Sequence, residues 1–313
     1  MTEHQQPSAC QNLDEAYRYC QNIAHQHYEN FPTASKLIRK DLRPGLAAIY
    51  AFARQADDIA DEGNDASEVR LKKLDAWAVL LDRCTSQKLD QPVFLALGDA
   101  INRHHLPLDA CHDLLTAFRM DCTIQRYTHE KELLFYCKHS ANPVGRLVLA
   151  LHGIHDTEAL HASDGICTAL QLTNFWQDLS VDLPRGRCYV PSSWLDAQQL
   201  SVEDLLAGQI SAVDFDSVKQ RLIAYTRDFY QQGIPLIGQL PARLRIQIAA
   251  TFHGGVSVLN AVQSEPDPLH HRPELQQHDW IKLVPSVLAT TSMPGRLYKH
   301  FTAKSVCSEE VLP

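Results

Sequence analysis

Two pairs of aspartates with the same four-residue spacing are the groups in this chain best suited to chemistry: Asp57 with Asp61, and Asp178 with Asp182. On a helix, residues four apart lie about 40° from each other around the axis, so each pair shares one face. Carboxylates at this spacing repel each other unless a cation joins them. Mg²⁺ typically takes one or two carboxylates while phosphate oxygens and waters complete its octahedron. The pairs therefore predict two facing helices that hold Mg²⁺ against a substrate diphosphate.

Further polar residues continue the face of each pair. Tyr50 and Arg54 lie roughly 20° and 60° from the first aspartate of their pair, and Gln171 and Asn174 lie roughly 20° and −40° from theirs. A guanidinium can bind phosphate through two parallel hydrogen bonds, and the amides can orient metal waters or phosphate oxygens. One acidic motif alone is typical of a solvated helix end, but two matched polar faces on apolar helices favour a metal site. The predicted metal ligands are Asp57, Asp61, Asn174, Asp178 and Asp182.

The elements that must position these side chains are helices. The chain has 313 residues, of which 45% are hydrophobic and 13 are glycine, which suits an α-rich globular protein. Periodicity and breaks predict one all-α domain over residues 13–291, between a flexible N-terminus (1–12) and a mobile tail (292–313). The predicted helices cover 14–29, 44–62, 67–84, 92–104, 108–123, 131–151 with a break at Asn142-Pro143, 163–182 with Ser163 as N-cap, 202–206, 214–232 and 241–264.

Charge and cysteine usage restrict the partners. The formal net charge of −8 gives no general attraction for nucleic acid or anionic lipid. The nine cysteines are scattered singly, which is typical of reduced thiols in a cytoplasmic protein. The polar N-terminus lacks the features of a signal peptide, and no apolar run is long enough to span a membrane. Peripheral contact with the inner face of a membrane stays open.

The chain resembles the squalene/phytoene synthase family over roughly residues 15–285, that is, over nearly its whole length. The segments Tyr50–Asp61 and Gln171–Asp182 resemble the two aspartate motifs of that family, and Arg187–Pro191 resembles the segment after the second motif. Asp121, Tyr127, Tyr136 and Val144-Gly145 fall where the family has its middle signature, and Phe31–Lys36 resembles its N-terminal substrate-binding stretch. The resemblance implies the all-α isoprenoid synthase fold with helices around a central catalytic cavity. The predicted substrate-binding residues are Phe31, Ser35, Lys36, Arg54, Tyr136, Gln171, Asn174, Gln177 and Arg187.

Two differences between this chain and the usual family pattern indicate a subfamily. The family usually has arginine where this chain has Gln177, and a glycine-containing run where it has Ser140-Ala141-Asn142-Pro143. Both features resemble the hydroxysqualene synthases of bacterial hopanoid biosynthesis. This resemblance implies that presqualene diphosphate is ionised with the help of two or three Mg²⁺ ions and that water, without NADPH, captures the rearranged C30 cation. It also implies coupling to a presqualene diphosphate synthase.

A carbocation intermediate needs aromatic faces around it, each of which contributes about 0.5–2 kcal/mol. Tyr50 and Tyr189, beside the acidic motifs, are the predicted catalytic aromatics, and Phe31 is a further candidate; core packing is the better interpretation of Phe175 and Trp176. Another possible reaction is the direct condensation of two prenyl diphosphates, such as farnesyl diphosphate, by a dehydrosqualene, squalene or phytoene synthase. A non-catalytic prenyl-lipid-binding protein is a third interpretation. A di-iron bundle needs two Glu-x-x-His pairs, and the chain has only Glu158-Ala-Leu-His161.

Overall fold

The structure, a computed structural model, describes residues 12–26, 38–63, 65–275 and 277–292, with the backbone alone over 277–281. Its helices are α1 (Leu13–Gln26), α2 (Arg43–Asp61), α3 (Ser67–Arg83), α4 (Pro92–His104), α5 (Leu108–Asp121), α6 (Glu130–Ser140), α7 (Asn142–Leu151), α8 (Thr157–Gln177), α9 (Leu179–Asp182), α10 (Ser192–Asp196), α11 (Val202–Leu206), α12 (Ala212–Gln239), α13 (Ala242–Ser264) and α14 (Gln277–Ser292). The described part of the chain contains no strand beyond an isolated bridge between Arg126 and Cys188. The all-α prediction is confirmed.

The chain divides into two compact units. The first comprises residues 1–123 and 143–155, and the second comprises residues 124–142 and 156–313. The prediction of a single domain over residues 13–291 is not tested by this division and stays a prediction. Except for Asn12 and Ser292, the predicted flexible N-terminus and mobile tail lie outside the described residues.

In the first unit, α2 packs against α1, α3, α4 and α5. Its buried face is made of small residues around Phe52, which is fully buried and packs against Trp77 and Phe94. Small side chains let neighbouring helices approach closely, so α2 is held on most of its circumference. The remaining narrow face carries the first acidic motif.

In the second unit, α8 packs along α12 and also contacts α6 and α13. Trp176 is fully buried and its Nε1 donates to Thr226 Oγ1 at 2.8 Å, which supports the core-packing interpretation of this residue. Thr173 and Tyr230 share a hydrogen bond of 3.0 Å between their hydroxyls. These buried, satisfied polar pairs fix α8 against α12 and so fix the position of the second acidic motif.

The sequence-based start of α8 was wrong. Ser163 lies within the helix and is buried, whereas Asp156 caps it by accepting a hydrogen bond from Ala159 N at 3.0 Å. Aspartate and serine are both good N-caps, and the helix begins after the aspartate, seven residues before the predicted serine. The seven described cysteines form no disulfide with one another.

Replacing Asp156 with alanine is therefore expected to lower the free energy of unfolding by about 1 kcal/mol, because the first turn of α8 loses its cap. For a chain of 313 residues the melting temperature should fall by about 1.5 °C, measurable by thermal denaturation. Glu158→Ala, an exposed change in the same turn, is the control. A melting temperature that falls for Ser163→Ala but not for Asp156→Ala would contradict the assigned cap.

Candidate active site

The first acidic motif lies on the accessible face of α2. Tyr50, Arg54 and Asp57 are half-buried, and Asp61, the last helical residue, is exposed. Most neighbours on the other faces are buried: Ala47, Ala48, Ile49, Ala51, Phe52, Ala56 and Ala60. Gly63, with φ of +83°, adopts the left-handed conformation just beyond the helix end. The predicted polar face is thus present on an otherwise buried helix.

Arg54 is the centre of an ion-pair cluster on this face. Its Nη2 lies 2.5 Å from Asp58 Oδ1 and 3.0 Å from Glu62 Oε1, and its Nη1 lies 3.4 Å from Asp57 Oδ2. Successive residues of a helix lie about 100° apart around its axis, so Asp58 is not on the face of Asp57. The long guanidinium stem bridges that angle, so Asp58 and Glu62 orient Arg54 beside the aspartate pair. Arg54 Nε is buried with no hydrogen-bond partner among the described residues.

The surroundings of Asp57 disfavour the ionised form of its carboxyl group. Burial, followed by the charge of Asp61, raises its pKa to about 6 although Arg54 acts in the opposite direction. The side chain is still 40% exposed, so water screens part of this effect. Burial also raises the pKa of Tyr50. A carboxylate pair with unfavourable mutual charge fits a cation, which would relieve that repulsion.

The second acidic motif spans a helix break. α8 ends at Gln177, Asp178 adopts φ −98° and ψ 13°, and α9 follows directly. The amide of Asp182 nevertheless donates to the carbonyl of Asp178 at 2.8 Å, so the two aspartates stay one turn apart as predicted. Gln171 is half-buried and Asn174 exposed, while their neighbours Leu172, Thr173, Phe175 and Trp176 are buried. The polar face of the second acidic motif is therefore, like that of the first, the accessible side of a helix whose other faces are buried.

A tight turn places Arg187 and Tyr189 beside the second motif. After α9, residues Leu183–Arg185 form one 3₁₀ turn that ends at Gly186, with φ of +79°. The chain then turns back, and the amide of Arg187 donates to the carbonyl of Asp182 at 3.1 Å. The bridge between Arg126 and Cys188 fixes the next residue, Tyr189, in the second unit.

Four aromatic side chains of the second unit form a cluster around Tyr189. Its ring stacks on Phe175 with a centroid distance of 3.8 Å and an interplanar angle of 10°. Tyr127 lies at 5.8 Å on a nearly parallel plane, and Tyr136 lies at 6.3 Å, tilted by 48°. Phe175 is therefore part of this cluster as well as of the core. Tyr189 and Tyr136, two predicted site residues, belong to one aromatic surface.

Arg272 is the functional candidate that sequence reasoning missed. Its Nε donates to Asp178 Oδ1 at 2.5 Å, and its Nη1 lies 3.4 Å from Glu274 Oε1. The pKa of Arg272 is raised, chiefly by the hydrogen bond to Asp178. It lies in a loop after α13 that has no periodicity, 94 residues from its partner, so no local signal pointed to it. Each acidic motif thus contacts an arginine.

The amide of Gln177, predicted to bind substrate, donates to the carbonyl of Pro273 at 2.7 Å. Phe31, Ser35 and Lys36 lie outside the described residues. No three histidine, cysteine or acidic side chains within the described ranges group closely enough to form a complete metal site. Mg²⁺ does not need such a group, because phosphate oxygens and water commonly supply most of its ligands. The facing of the two acidic motifs stays a prediction.

Comparison with known proteins decides the family. Residues 24–279 match the family model described as squalene/phytoene synthase. The chain belongs to the squalene/phytoene synthase family. The prediction of this family, and with it of an enzyme of this type, is confirmed.

Three members of the squalene/phytoene synthase family illustrate the similarity. A hydroxysqualene synthase of Rhodopseudomonas palustris is 36% identical over 256 residues, which are 81% of this chain and 85% of that protein. A hydroxysqualene synthase of Sinorhizobium fredii is 35% identical over 79% of this chain and 83% of its own length. The crystal structure of a squalene synthase from Alicyclobacillus acidocaldarius superimposes with a TM-score of 0.77 at 32% identity, covering 81% of this chain and 95% of that one. The predicted isoprenoid synthase fold is confirmed.

Proposed function

We propose that this chain converts presqualene diphosphate and water into hydroxysqualene and diphosphate. The carbon–oxygen bond to diphosphate breaks with its electron pair, the C30 cation rearranges, and water bonds to the cation and loses a proton. The observation that carries the proposal is the matched pair of sites: each acidic motif lies on the accessible face of a buried helix and contacts an arginine. The two hydroxysqualene synthases at 35–36% identity support this substrate.

The residues of the two motifs fit Mg²⁺ by their donor chemistry. Asp57, Asp61, Asp178, Asp182 and Asn174 offer hard oxygen ligands, and the first pair disfavours two negative charges without a cation. When bound, two or three ions would neutralise the charge that develops on the leaving diphosphate.

The basic side chains around the motifs have a separate part in the proposal. Arg54, with its buried and unpaired Nε, and Arg272 would donate to phosphate oxygens. Arg187, placed by its amide next to Asp182, would add a third cation. Gln171 would orient phosphate oxygens or metal-bound water. These groups bind and orient the leaving group without taking part in covalent bonds.

The aromatic cluster supplies the surroundings that the cation requires. Tyr127, Tyr136 and Phe175 are buried, and Tyr189 joins all three rings. Ring quadrupoles attract a cation without a nucleophilic group that would trap it early. Tyr50 of α2 is proposed to serve in the same way. No NADPH is expected, since water ends the reaction.

Partners and place in the cell follow from the substrate. A presqualene diphosphate synthase must supply it, and its two prenyl chains favour peripheral contact of this otherwise cytoplasmic chain with a membrane surface. Within the described residues no helix is long and apolar enough to cross a membrane.

Glu158 and His161, the single pair considered for a di-iron site, are exposed in the first turns of α8.

Product analysis tests the proposal. Presqualene diphosphate with Mg²⁺ and no NADPH is expected to give a hydroxylated C30 product, which in ¹⁸O-labelled water gains one ¹⁸O by mass spectrometry. Samples with chelator, with NADPH, or with farnesyl diphosphate as sole substrate are the controls. A C40 hydrocarbon, or a C30 hydrocarbon formed directly from farnesyl diphosphate, would replace the proposal by the condensing-synthase alternative. No diphosphate release from any prenyl diphosphate would favour the lipid-binding alternative.

A further inference from the structure

Gln177 lies between Asn174 and Asp178 of the second acidic motif. It is the last residue of α8, directly before the backbone break at Asp178. Its side chain is half-buried and reaches the loop after α13. There Nε2 donates a hydrogen bond to the carbonyl of Pro273 at 2.7 Å. A bond this short between a neutral donor and a buried residue's carbonyl is a directed contact.

The carbonyl that Gln177 binds belongs to the residue next to Arg272. Pro273 is buried and has a fixed φ, so the bond restrains the backbone from which the Arg272 side chain starts. Arg272 itself is 40% exposed and contacts Asp178 through Nε alone. An exposed single ion pair on a long, flexible side chain is weak on its own, because ordering that side chain costs entropy. A contact that restrains the backbone of Arg272 would lower that entropy cost and strengthen the pair.

Pro268 and Leu269 are buried, and polar contacts also order the loop before this point. His270 Nδ1 lies 3.0 Å from Asp267 Oδ2, and the amides of His270 and His271 donate to the carbonyl of Asp267, so these contacts order the turn at residues 267–271. The Glu274 contact with Arg272 at 3.4 Å lies within the same short segment. Among the described contacts, the hydrogen bond from Gln177 ties this segment to the end of α8.

We propose that Gln177 is a positioning residue: it holds the backbone at Pro273 so that Arg272 stays on Asp178 and is ready for the diphosphate. The role of Arg272 towards diphosphate rests on the proposed function. The placement of Arg272 by Gln177 is independent of that function. Gln177 itself contacts neither metal nor substrate in this role. This reassigns it from the substrate-binding group in which the sequence placed it.

The first experiment measures the placement without any ligand. In Gln177→Met, a change of similar length that lacks the donor, modification of Arg272 by phenylglyoxal should become about fivefold faster, the factor expected for one lost hydrogen bond. Peptide mass spectrometry reports each arginine separately, and Arg126, paired with Glu203 in the same unit, should be unchanged. Gln209→Met, an exposed glutamine of this unit, is the matched control. An unchanged rate at Arg272 overturns the inference.

The second experiment is a double-mutant cycle with Mg²⁺ and inorganic pyrophosphate as the probe. Gln177→Met should weaken pyrophosphate binding about fivefold and Arg272→Gln about tenfold or more. In the Arg272→Gln background, Gln177→Met should cost nothing further, because it acts through that arginine. Losses that simply multiply would overturn the positioning role, as would a fivefold loss in Gln209→Met. If the unaltered protein does not bind pyrophosphate, the proposed function fails and the phenylglyoxal result alone decides the inference.

Discussion

Replacing Asp178 with asparagine is expected to lower kcat/KM for presqualene diphosphate by about 1,000-fold or more. Asparagine keeps the size and one oxygen but removes the charge that pairs with Arg272 and that is proposed to bind Mg²⁺. Loss of several kcal/mol of charge stabilisation on the leaving group corresponds to about three powers of ten in rate. Asp57→Asn should lose activity to a similar extent. Steady-state assays of pyrophosphate release at saturating Mg²⁺ measure both effects.

The stability of Asp57→Asn separates a lost catalytic charge from a damaged fold. Because burial and Asp61 raise the pKa of Asp57 to about 6, the ionised carboxylate destabilises the metal-free protein above that pH. The destabilisation is absent below the ordinary carboxyl pKa and grows as the pH rises through 6. At pH 7.5 the variant should therefore melt at least as high as the original protein, by about 1 °C more if the repulsion is that of an ordinary helical like-charge pair. At pH 4 this advantage should vanish.

Two outcomes would contradict the metal assignment. One is near-normal activity in either variant, which would leave the acidic motif as a structural feature. The other is a melting temperature of the Asp57 variant that rises on adding Mg²⁺ by as much as that of the unaltered protein. Asp65→Asn, an exposed aspartate that pairs with Lys73 just beyond α2, is the matched control and should keep full activity.

Periodic spacing predicted the parts of the site that depend on a single helix. Tyr50, Arg54, Asp57 and Asp61 share the accessible face of α2 because the helix is regular from Arg43 to its end. The glycine at 63 and the proline at 44 mark the limits of that helix in the sequence itself. Local signals are sufficient where backbone geometry alone sets the positions of side chains.

The parts that were missed depend on contacts between distant segments. No glycine or proline marks the break at Asp178, so periodicity predicted one helix through Asp182 where the structure has two. Arg272 and Pro273 lie in an irregular loop, and their contacts with residues 177 and 178 cross more than 90 residues of chain. Angles around a helix axis also do not include the length of a side chain. Arg54 contacts Asp58 and Glu62 because its long side chain extends to both. Tertiary packing decides such contacts.

Replacing Tyr189 with leucine is expected to lower kcat about 5- to 30-fold, the loss of one or two aromatic contacts of about 1 kcal/mol each. The ring stacks on Phe175 at 3.8 Å and also approaches Tyr127 and Tyr136, so its removal takes away the one ring that stacks on both Phe175 and Tyr127. KM should change much less, because the proposed diphosphate contacts are made elsewhere. Presqualene diphosphate turnover with product analysis measures both the rate and the fate of the cation.

The conservative variant decides what the Tyr189 ring contributes. Tyr189→Phe keeps the stack and should stay within about threefold of the original rate, since the ring face and not the hydroxyl meets a cation. Tyr225→Leu removes a tyrosine of the same unit that packs on Trp194 and Phe229, and its kcat should be unchanged. If Tyr189→Phe were as slow as Tyr189→Leu, the hydroxyl would be the functional group, and Tyr189 would be better interpreted as a proton acceptor or as a group that orients the capturing water. A looser aromatic surface should also let the cation be trapped earlier, so the leucine variant is expected to give a larger share of alcohols that keep the cyclopropane ring.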